Sequence, residues 1–354
     1  MADPVLEVEN LHVEFATKEG VVYAVRGLDL TLAPGEVLGI VGESGSGKSV
    51  TALAAMGLLP RNARATGSIK VRGQEVLGAK EKDLMPIRGR TISMIFQDPM
   101  TSLNPVYSVG WQIAEAVRAH NDITQEQALD RAVELLDMVG IPNPRERVGD
   151  YPHAFSGGMR QRVVIAIAMA NDPEIILADE PTTALDVTVQ AQVLESLKTA
   201  LVETHAALVL ITHDLGVIAG LADRVAVMYA GRTVEKGSVD DIFYRPGMPY
   251  TVGLLGSLPR LDHDGTERLR PIPGSPPSML GGTRGCPFAP RCPMRVPAIC
   301  DTQEPPLRPA GPQATGAHLA ACHFTDKVVS GQAGPIFAAT SADLETPVVL
   351  KGHS

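Results

Sequence analysis

The stretch Gly42-Glu43-Ser44-Gly45-Ser46-Gly47-Lys48-Ser49 limits what this chain can fold into more than any other. It fits G-x-x-x-x-G-K-[ST], the phosphate-binding loop. The apolar run Val37–Val41 before it reads as a buried parallel strand. The run from Val50 to Leu59 reads as a helix that stops at Pro60. Strand, glycine loop and helix are the context the motif needs: glycines let backbone N–H groups wrap an anion, and the helix N-terminus adds partial positive charge. A Gly/Ser-rich turn without those flanks would bind nothing. The expected nucleotide contacts run from Gly42 to Val50, with Lys48 reaching the β- and γ-phosphates and Ser49 on Mg²⁺.

Composition narrows the class further. A chain of 354 residues, 44% of them hydrophobic, can bury a large core, and with 4% aromatics that core must be aliphatic. A formal net charge of -9 argues against binding nucleic acid through a basic face. No apolar run reaches membrane-spanning length, and Met1-Ala2-Asp3-Pro4 does not begin a basic-then-apolar leader. The expectation is a cytoplasmic protein whose membrane contact comes through a partner.

In chain order, Val5 to Phe15 and Val22 to Leu32 read as antiparallel strands joined at Thr17–Gly20, and Ser68 to Leu77 as a hairpin broken at Arg72-Gly73. Thr124 with Gln127 forms a capping box, and the apolar stripe Ala128 to Val139 predicts a helix stopping at Gly140. Apolar strands are expected at Thr91–Phe96, Glu174–Ala178 and Ala207–Thr212, and each ends in polar residues: Gln97-Asp98, Asp179-Glu180 and His213-Asp214. That is the pattern of a parallel α/β sheet binding ligand at its carboxyl edge. Arg224 to Glu235 reads as a hairpin through Ala230-Gly231, with a short helix near Val239 to Tyr244. Asp179, at a strand end, is placed to hold Mg²⁺; Glu180 beside it is placed to polarise an attacking water.

Phe155-Ser156-Gly157-Gly158-Met159-Arg160-Gln161 resembles the signature of ATP-binding-cassette ATPases, usually Leu-Ser-Gly-Gly-Gln, with Phe and Met at the first and fifth positions. The resemblance implies that Ser156, Gly157 and Gly158 contact the γ-phosphate of a second chain's site. It further implies that Gln97 senses Mg²⁺ and γ-phosphate, that Ala184-Leu185-Asp186 crosses a dimer interface, and that His213 hydrogen-bonds the γ-phosphate and the attacking water. For the aromatic that stacks on adenine, Phe15, 33 residues before Lys48, is preferred over Tyr23.

Three stretches look like those of peptide and nickel importers: Gln97 to Pro105, Asp179 to Gln190, and Arg245 to Thr251 with Met248 in place of the usual His. So do Ile272-Pro273-Gly274, Gly285-Cys286-Pro287-Phe288 and Pro290-Arg291-Cys292-Pro293. The match covers about residues 5 to 325 and implies the ATPase subunit of a dipeptide/oligopeptide importer. Its implied partners are a second cassette subunit, a paralogue by preference, two transmembrane permeases and an extracytoplasmic binding protein, at the cytoplasmic face of the membrane. A soluble cassette for DNA repair or translation, a binding-only subunit, and an importer of nickel or another small solute are the alternatives. The implied fold class is an α/β P-loop NTPase of ABC type with an antiparallel β subdomain. The expected domains are 1–257, with a helical subdomain at about 99–160, a Cys-bearing extension at 258–326, and a loosely ordered tail at 327–354.

The chain's four cysteines, Cys286, Cys292, Cys300 and Cys322, follow C-x5-C-x7-C-x21-C. Zinc sites usually contain C-x2-4-C pairs, which are absent here. Irregular spacing on a Pro-rich loop suits a [4Fe–4S] cluster better, and the importer resemblance implies the same group. His318 and His323 beside the last cysteine keep zinc as the alternative.

Overall fold

The computed structural model describes residues 3–183, 185–257, 272–311 and 317–331. Ala184, and those parts of the expected extension and tail that fall at 258–271, 312–316 and 332–354, lie outside the described residues. The chain divides into two compact units, the first made of residues up to Thr233 together with Ser278–Gly282.

In the first unit, β1 (Leu6–Thr17) pairs antiparallel with β2 (Gly20–Leu32) and with β4 (Ala63–Val71), which pairs with β5 (Gln74–Glu75). Their order is β2-β1-β4-β5. The β4–β5 turn has φ of 51° at Arg72 and 75° at Gly73, the two left-handed residues a tight hairpin uses. Leu6, Val8, Leu11 and Val13 of β1 turn to one buried face. That face packs with Ala52, Ala54 and Ala55 of the helix Lys48–Ala55.

In the second sheet β3 (Val37–Val41) lies between β8 (Ala207–Thr212) and β9 (Arg224–Tyr229). β7 (Ile175–Asp179) pairs with β8 on one side and β6 (Ile92–Ile95) on the other. The sheet is parallel over β9-β3-β8-β7-β6, as the strand-end pattern predicted. Buried on both faces, these strands read as continuous apolar runs rather than alternating ones. Register decides what meets at the carboxyl edge. Val41 is level with Thr212, and Asp179 with Ile211, so Gly42, His213 and Glu180 begin at nearly one height.

The helix after the phosphate loop ends at Ala55, four residues before the expected end. Gly57, at φ 63°, donates to Ala54 O while Leu58 donates to Leu53 O, the paired bonds of a Schellman cap. The stop signal is Gly57, and Pro60 lies outside the helix. The capping box at Thr124 and Gln127 is present and starts Gln125–Met138. Other helices of this region include Val109–Arg118, capped by Ser108, and Gly157–Ala168, capped by Ser156.

The second unit takes the described residues from Val234 onward apart from 278–282. Here β12 (Leu319–Ala320) pairs antiparallel with Glu235 and Lys236 of β10 (Arg232–Ser238) and with β11 (Arg308–Pro309). The division falls earlier than residue 257 because the helices Val239–Tyr244 and Pro249–Gly256 pack with the Cys-bearing segment. The buried Glu235 carboxylate accepts N–H from Gly247 at 2.6 Å and Met248 at 3.1 Å and meets His318 Nε2 at 2.9 Å. The Tyr250 and Phe288 rings stand 5.4 Å apart. Residues expected to start the loose tail are instead helical, in Thr325–Val329.

Candidate active site

Three strand ends of the parallel sheet and the phosphate loop build one polar cluster. Gly42 (φ 155°) and Gly47 (φ 100°) let the loop lie directly on its neighbours: a Cβ would stand 2.2 Å from Met228 O at the first and 2.4 Å from Ala24 O at the second. The Lys48 ammonium is 5% exposed and donates to Gly42 O at 2.8 Å and Glu43 O at 3.0 Å. Burial lowers its pKa, while Glu180, Asp179 and Glu43 pull the other way. The buried Ser46 hydroxyl has no hydrogen-bond partner among the described residues. A cradle that excludes Cβ atoms, an unpaired buried hydroxyl and an aimed ammonium together suit a polyphosphate.

Ser49 Oγ donates to Asp179 Oδ1 at 2.9 Å, so the two expected Mg²⁺ ligands stand together. Burial raises the Asp179 pKa; the Ser49 bond opposes it, Glu180 adds to it and Lys48 opposes it. A hydroxyl beside a desolvated carboxylate is a donor set that suits Mg²⁺, a hard cation taking oxygen ligands.

Glu180 follows with φ 48°, a left-handed conformation that costs a non-glycine residue about 1–3 kcal/mol. Its N–H donates to Ile211 O at 2.8 Å, which ties it to β8. Glu180 Oε2 accepts from Gln97 Nε2 at 2.9 Å and Thr183 Oγ1 at 2.7 Å, and Oε1 lies 3.4 Å from His213 Nδ1. Gln97, Glu180 and His213, far apart in sequence, thus meet around one carboxylate. Thr183 was not singled out from the sequence. The only signal for it was a hydroxyl three residues after Glu180, in the turn that closes Glu180 to Thr183.

The signature residues stand differently. Ser156 caps Gly157–Ala168 by accepting from Met159 N at 3.4 Å, and both Ser156 and Gly157 are exposed. Gly158 is buried because a Cβ there would stand 2.2 Å from Val189 Cγ1 on the helix Val187–Thr204. Asp186 caps that helix, accepting from Val189 N at 3.0 Å. Phe155, an atypical first residue, is 2% exposed with the Arg147 guanidinium 4.5 Å over its ring. Phe15 is half-buried against the core shared with Val50 and Leu53, while Tyr23 sits on β2, one residue before the Ala24 carbonyl that touches the loop.

In the second unit the four cysteines are free and line one cavity. Burial pushes Cys292 up to about 12 and Cys322 up to about 11, and it also raises Cys286. Each sulfur accepts backbone N–H: Cys322 from Phe324 at 3.3 Å, Cys300 from Val296 at 3.5 Å, Cys292 from Met294, and Cys286 from Phe288. Among the described residues no three His, Cys, Asp or Glu side chains converge on a single-ion site. The His318 and His323 side chains are engaged by Glu235 and Gln303 O, both at 2.9 Å. Zinc and iron–sulfur clusters are both bound by thiolate, the form that burial disfavours at Cys286, Cys292 and Cys322.

Two family models match the chain: "ABC transporter" over residues 25–183 and "Oligopeptide/dipeptide transporter, C-terminal region" over 234–300. The oligopeptide transport ATP-binding protein OppD of Salmonella typhimurium is 53% identical over 88% of this chain and 92% of its own length. The dipeptide transport ATP-binding protein DppD of Bacillus subtilis is 50% identical over 94% and 99%. OppD of Mycobacterium tuberculosis is 53% identical over 94% of this chain, which spans only 54% of that relative. Among solved structures, a dimeric ATP-binding cassette in a post-hydrolysis state, bound to ADP and Pi, superposes with a TM-score of 0.59. It is 27% identical over 66% of this chain and 98% of that one.

Proposed function

This chain belongs to the ABC transporter family, in its oligopeptide and dipeptide transport ATP-binding branch, and on that premise we propose that it hydrolyses ATP to power peptide import. The observation that carries the proposal is the junction of Ser49 with Asp179, 2.9 Å apart, beside the Glu180 carboxylate held by Gln97, Thr183 and His213. The phosphate loop binds the β- and γ-phosphates and Lys48 offsets their charge. Ser49 and Asp179 would hold Mg²⁺, which neutralises charge developing on the phosphates. Glu180 then orients a water and takes its proton as oxygen attacks the γ-phosphorus. The bond to the β-phosphate oxygen breaks, leaving ADP and phosphate. His213 adds a second polar contact at the same carboxylate.

A complete site needs a second chain. In its favour, Ser156 and Gly157 are exposed at a helix N-terminus, free to meet a γ-phosphate on a partner cassette. That partner is a paralogue, by resemblance. The region after Gln97 exposes Met100, Val106 and Tyr107, and Phe96 just before it is exposed too, apolar residues suited to a transmembrane permease. Among the described residues no helix is long and apolar enough to cross a membrane. By resemblance, two transmembrane permeases and an extracytoplasmic binding protein complete the importer. By resemblance to importer subunits that carry these cysteines, Cys286, Cys292, Cys300 and Cys322 would hold a [4Fe–4S] cluster.

Capture through a tag on this chain tests the transport assignment. It should co-purify two polytopic membrane proteins, and peptide uptake should cease without it. A chain that emerges alone, with uptake intact, would favour the soluble cassette. Anaerobic purification should give brown absorption with iron and sulfide, lost on serine substitution of any one cysteine. Iron-free protein would rule the cluster out.

A further inference from the structure

β2 is the edge of its sheet, and the short segment Ser278–Gly282, far along the chain, covers that edge. Tyr23 N donates to Met279 O at 3.1 Å, and Gly281 N donates to Val21 O at 3.0 Å. Val22 and Leu280 form an antiparallel bridge between these bonds. Gly282 lies against the Tyr23 ring: a Cβ there would be 3.7 Å from Cδ2. The Leu280 side chain rests over Gly20, with Cδ1 3.2 Å from the Cβ position. The segment therefore acts as a strap laid along Gly20 to Tyr23.

The residue after the strapped Tyr23 is part of the floor of the phosphate loop. Ala24 O is 2.4 Å from the Cβ position of Gly47 and 2.9 Å from that of Gly231. Gly231 N in turn donates to Ser46 O at 3.1 Å, and Arg26 N donates to Gly231 O at 2.7 Å. Tyr23 N is held by Met279, the following peptide places Tyr23 O 3.3 Å from the Cβ position of Gly231, and the one after that places Ala24 O against Gly47. Packed backbone of this kind passes displacement on, because interiors have little room to absorb it.

We propose that Ser278–Gly282 is a positioning element of the ATP site, fixing Val21–Ala24 beneath the phosphate loop so that nucleotide affinity depends on this C-terminal strap. The proposal rests on the assignment of Gly42–Ser49 to ATP. A strap that merely shields an edge strand from pairing with other chains would contribute to stability and leave ATP affinity alone.

Gly281 offers a clean test on the full-length chain. Its φ is 72° and nothing lies within 4 Å of its Cβ position. Gly281→Pro removes the N–H and forbids that φ. Gly281→Asn keeps the N–H and tolerates the left-handed region. ATP affinity is read by titration calorimetry, strap attachment by hydrogen exchange at the Tyr23 amide, and turnover at saturating ATP. Gly281→Pro should lose protection at Tyr23 and weaken ATP binding about fivefold to tenfold, the loss expected for one or two backbone hydrogen bonds. Its saturated turnover should stay within about twofold of the parent, since Glu180 and its partners Gln97, Thr183 and His213 make no bond to the strapped residues. Gly281→Asn should behave as the parent. If Gly281→Pro does not fold, Leu280→Ser, which strips the contact over Gly20, should weaken ATP binding in the same direction.

Unchanged ATP affinity in a variant whose Tyr23 amide has lost protection would overturn the proposal. So would protection that persists in Gly281→Pro, or an Asn variant as weak as the Pro variant. A parent chain that fails to bind ATP would instead defeat the ATP-site assignment itself.

Discussion

Asp179 and Glu180 are adjacent carboxylates with different burdens. Asp179 is 6% exposed, and burial holds its pKa above the ordinary carboxylate range. The folded chain therefore binds that proton more tightly than the unfolded chain does. Stability falls as pH rises from the unfolded value through the raised folded one, and stays lower above it. Asp179→Asn removes this dependence while its amide oxygen still accepts from Ser49. Thermal unfolding of both forms across pH should show the wild type losing ground to the variant within that window; parallel curves would contradict the burial account. The same variant should lose Mg²⁺-dependent turnover. Glu180 is held by three side chains at φ 48°, so its direction is set before substrate arrives. Thr183→Val removes one of these bonds and should lower turnover by about tenfold with ATP affinity unchanged, the mark of an interaction that orients a reacting group. A rise in KM alone would contradict that role.

At the level of elements, the close packing of Gly157–Ala168 on Val187–Thr204 leaves no space at Gly158. Gly158→Ala should cost about 1–3 kcal/mol by overpacking, seen as a lower unfolding temperature in nucleotide-free protein. An unchanged temperature would mean that the two helices separate easily. From sequence the motif pointed Gly158 only to phosphate; its packing against Val189 became visible only in three dimensions. The strand–loop–helix at Gly42 and the strand ends at Gln97, Asp179 and His213 were legible because each is a local pattern with its own periodicity and punctuation. The helix end at Gly57 was misplaced because a proline three residues on is a louder signal than a glycine cap. Thr183 was missed because its partner, the Glu180 side chain, is set by a turn rather than by a periodic element.

At the scale of the whole chain, sequence reasoning separated the Cys-bearing extension at 257 on composition alone. The structure divides at Thr233 and Val234 because Glu235, read from sequence only as a hairpin end, is 0% exposed and binds Gly247, Met248 and His318. Long-range pairings of this kind carry no local signature, and neither does the return of Ser278–Gly282 to β2. Removing the Glu235 acceptor leaves buried N–H groups and an imidazole unpaired. Glu235→Ala should therefore destabilise the second unit by about 3–5 kcal/mol and expose the four thiols to alkylation in metal-free protein. Thiols that stay protected would show that the extension holds together without this carboxylate.

The central claim is that the strand ends and the phosphate loop form an ATP-hydrolysing site with Glu180 at its reacting centre. The most direct measurement is ADP formation by the membrane complex captured through this chain, wild type against Glu180→Gln, with ATP affinity measured on the same samples. The account predicts Mg²⁺-dependent turnover in the wild type, a fall of about a hundredfold or more in the variant, and ATP binding retained in both. Equal turnover in the two would contradict it.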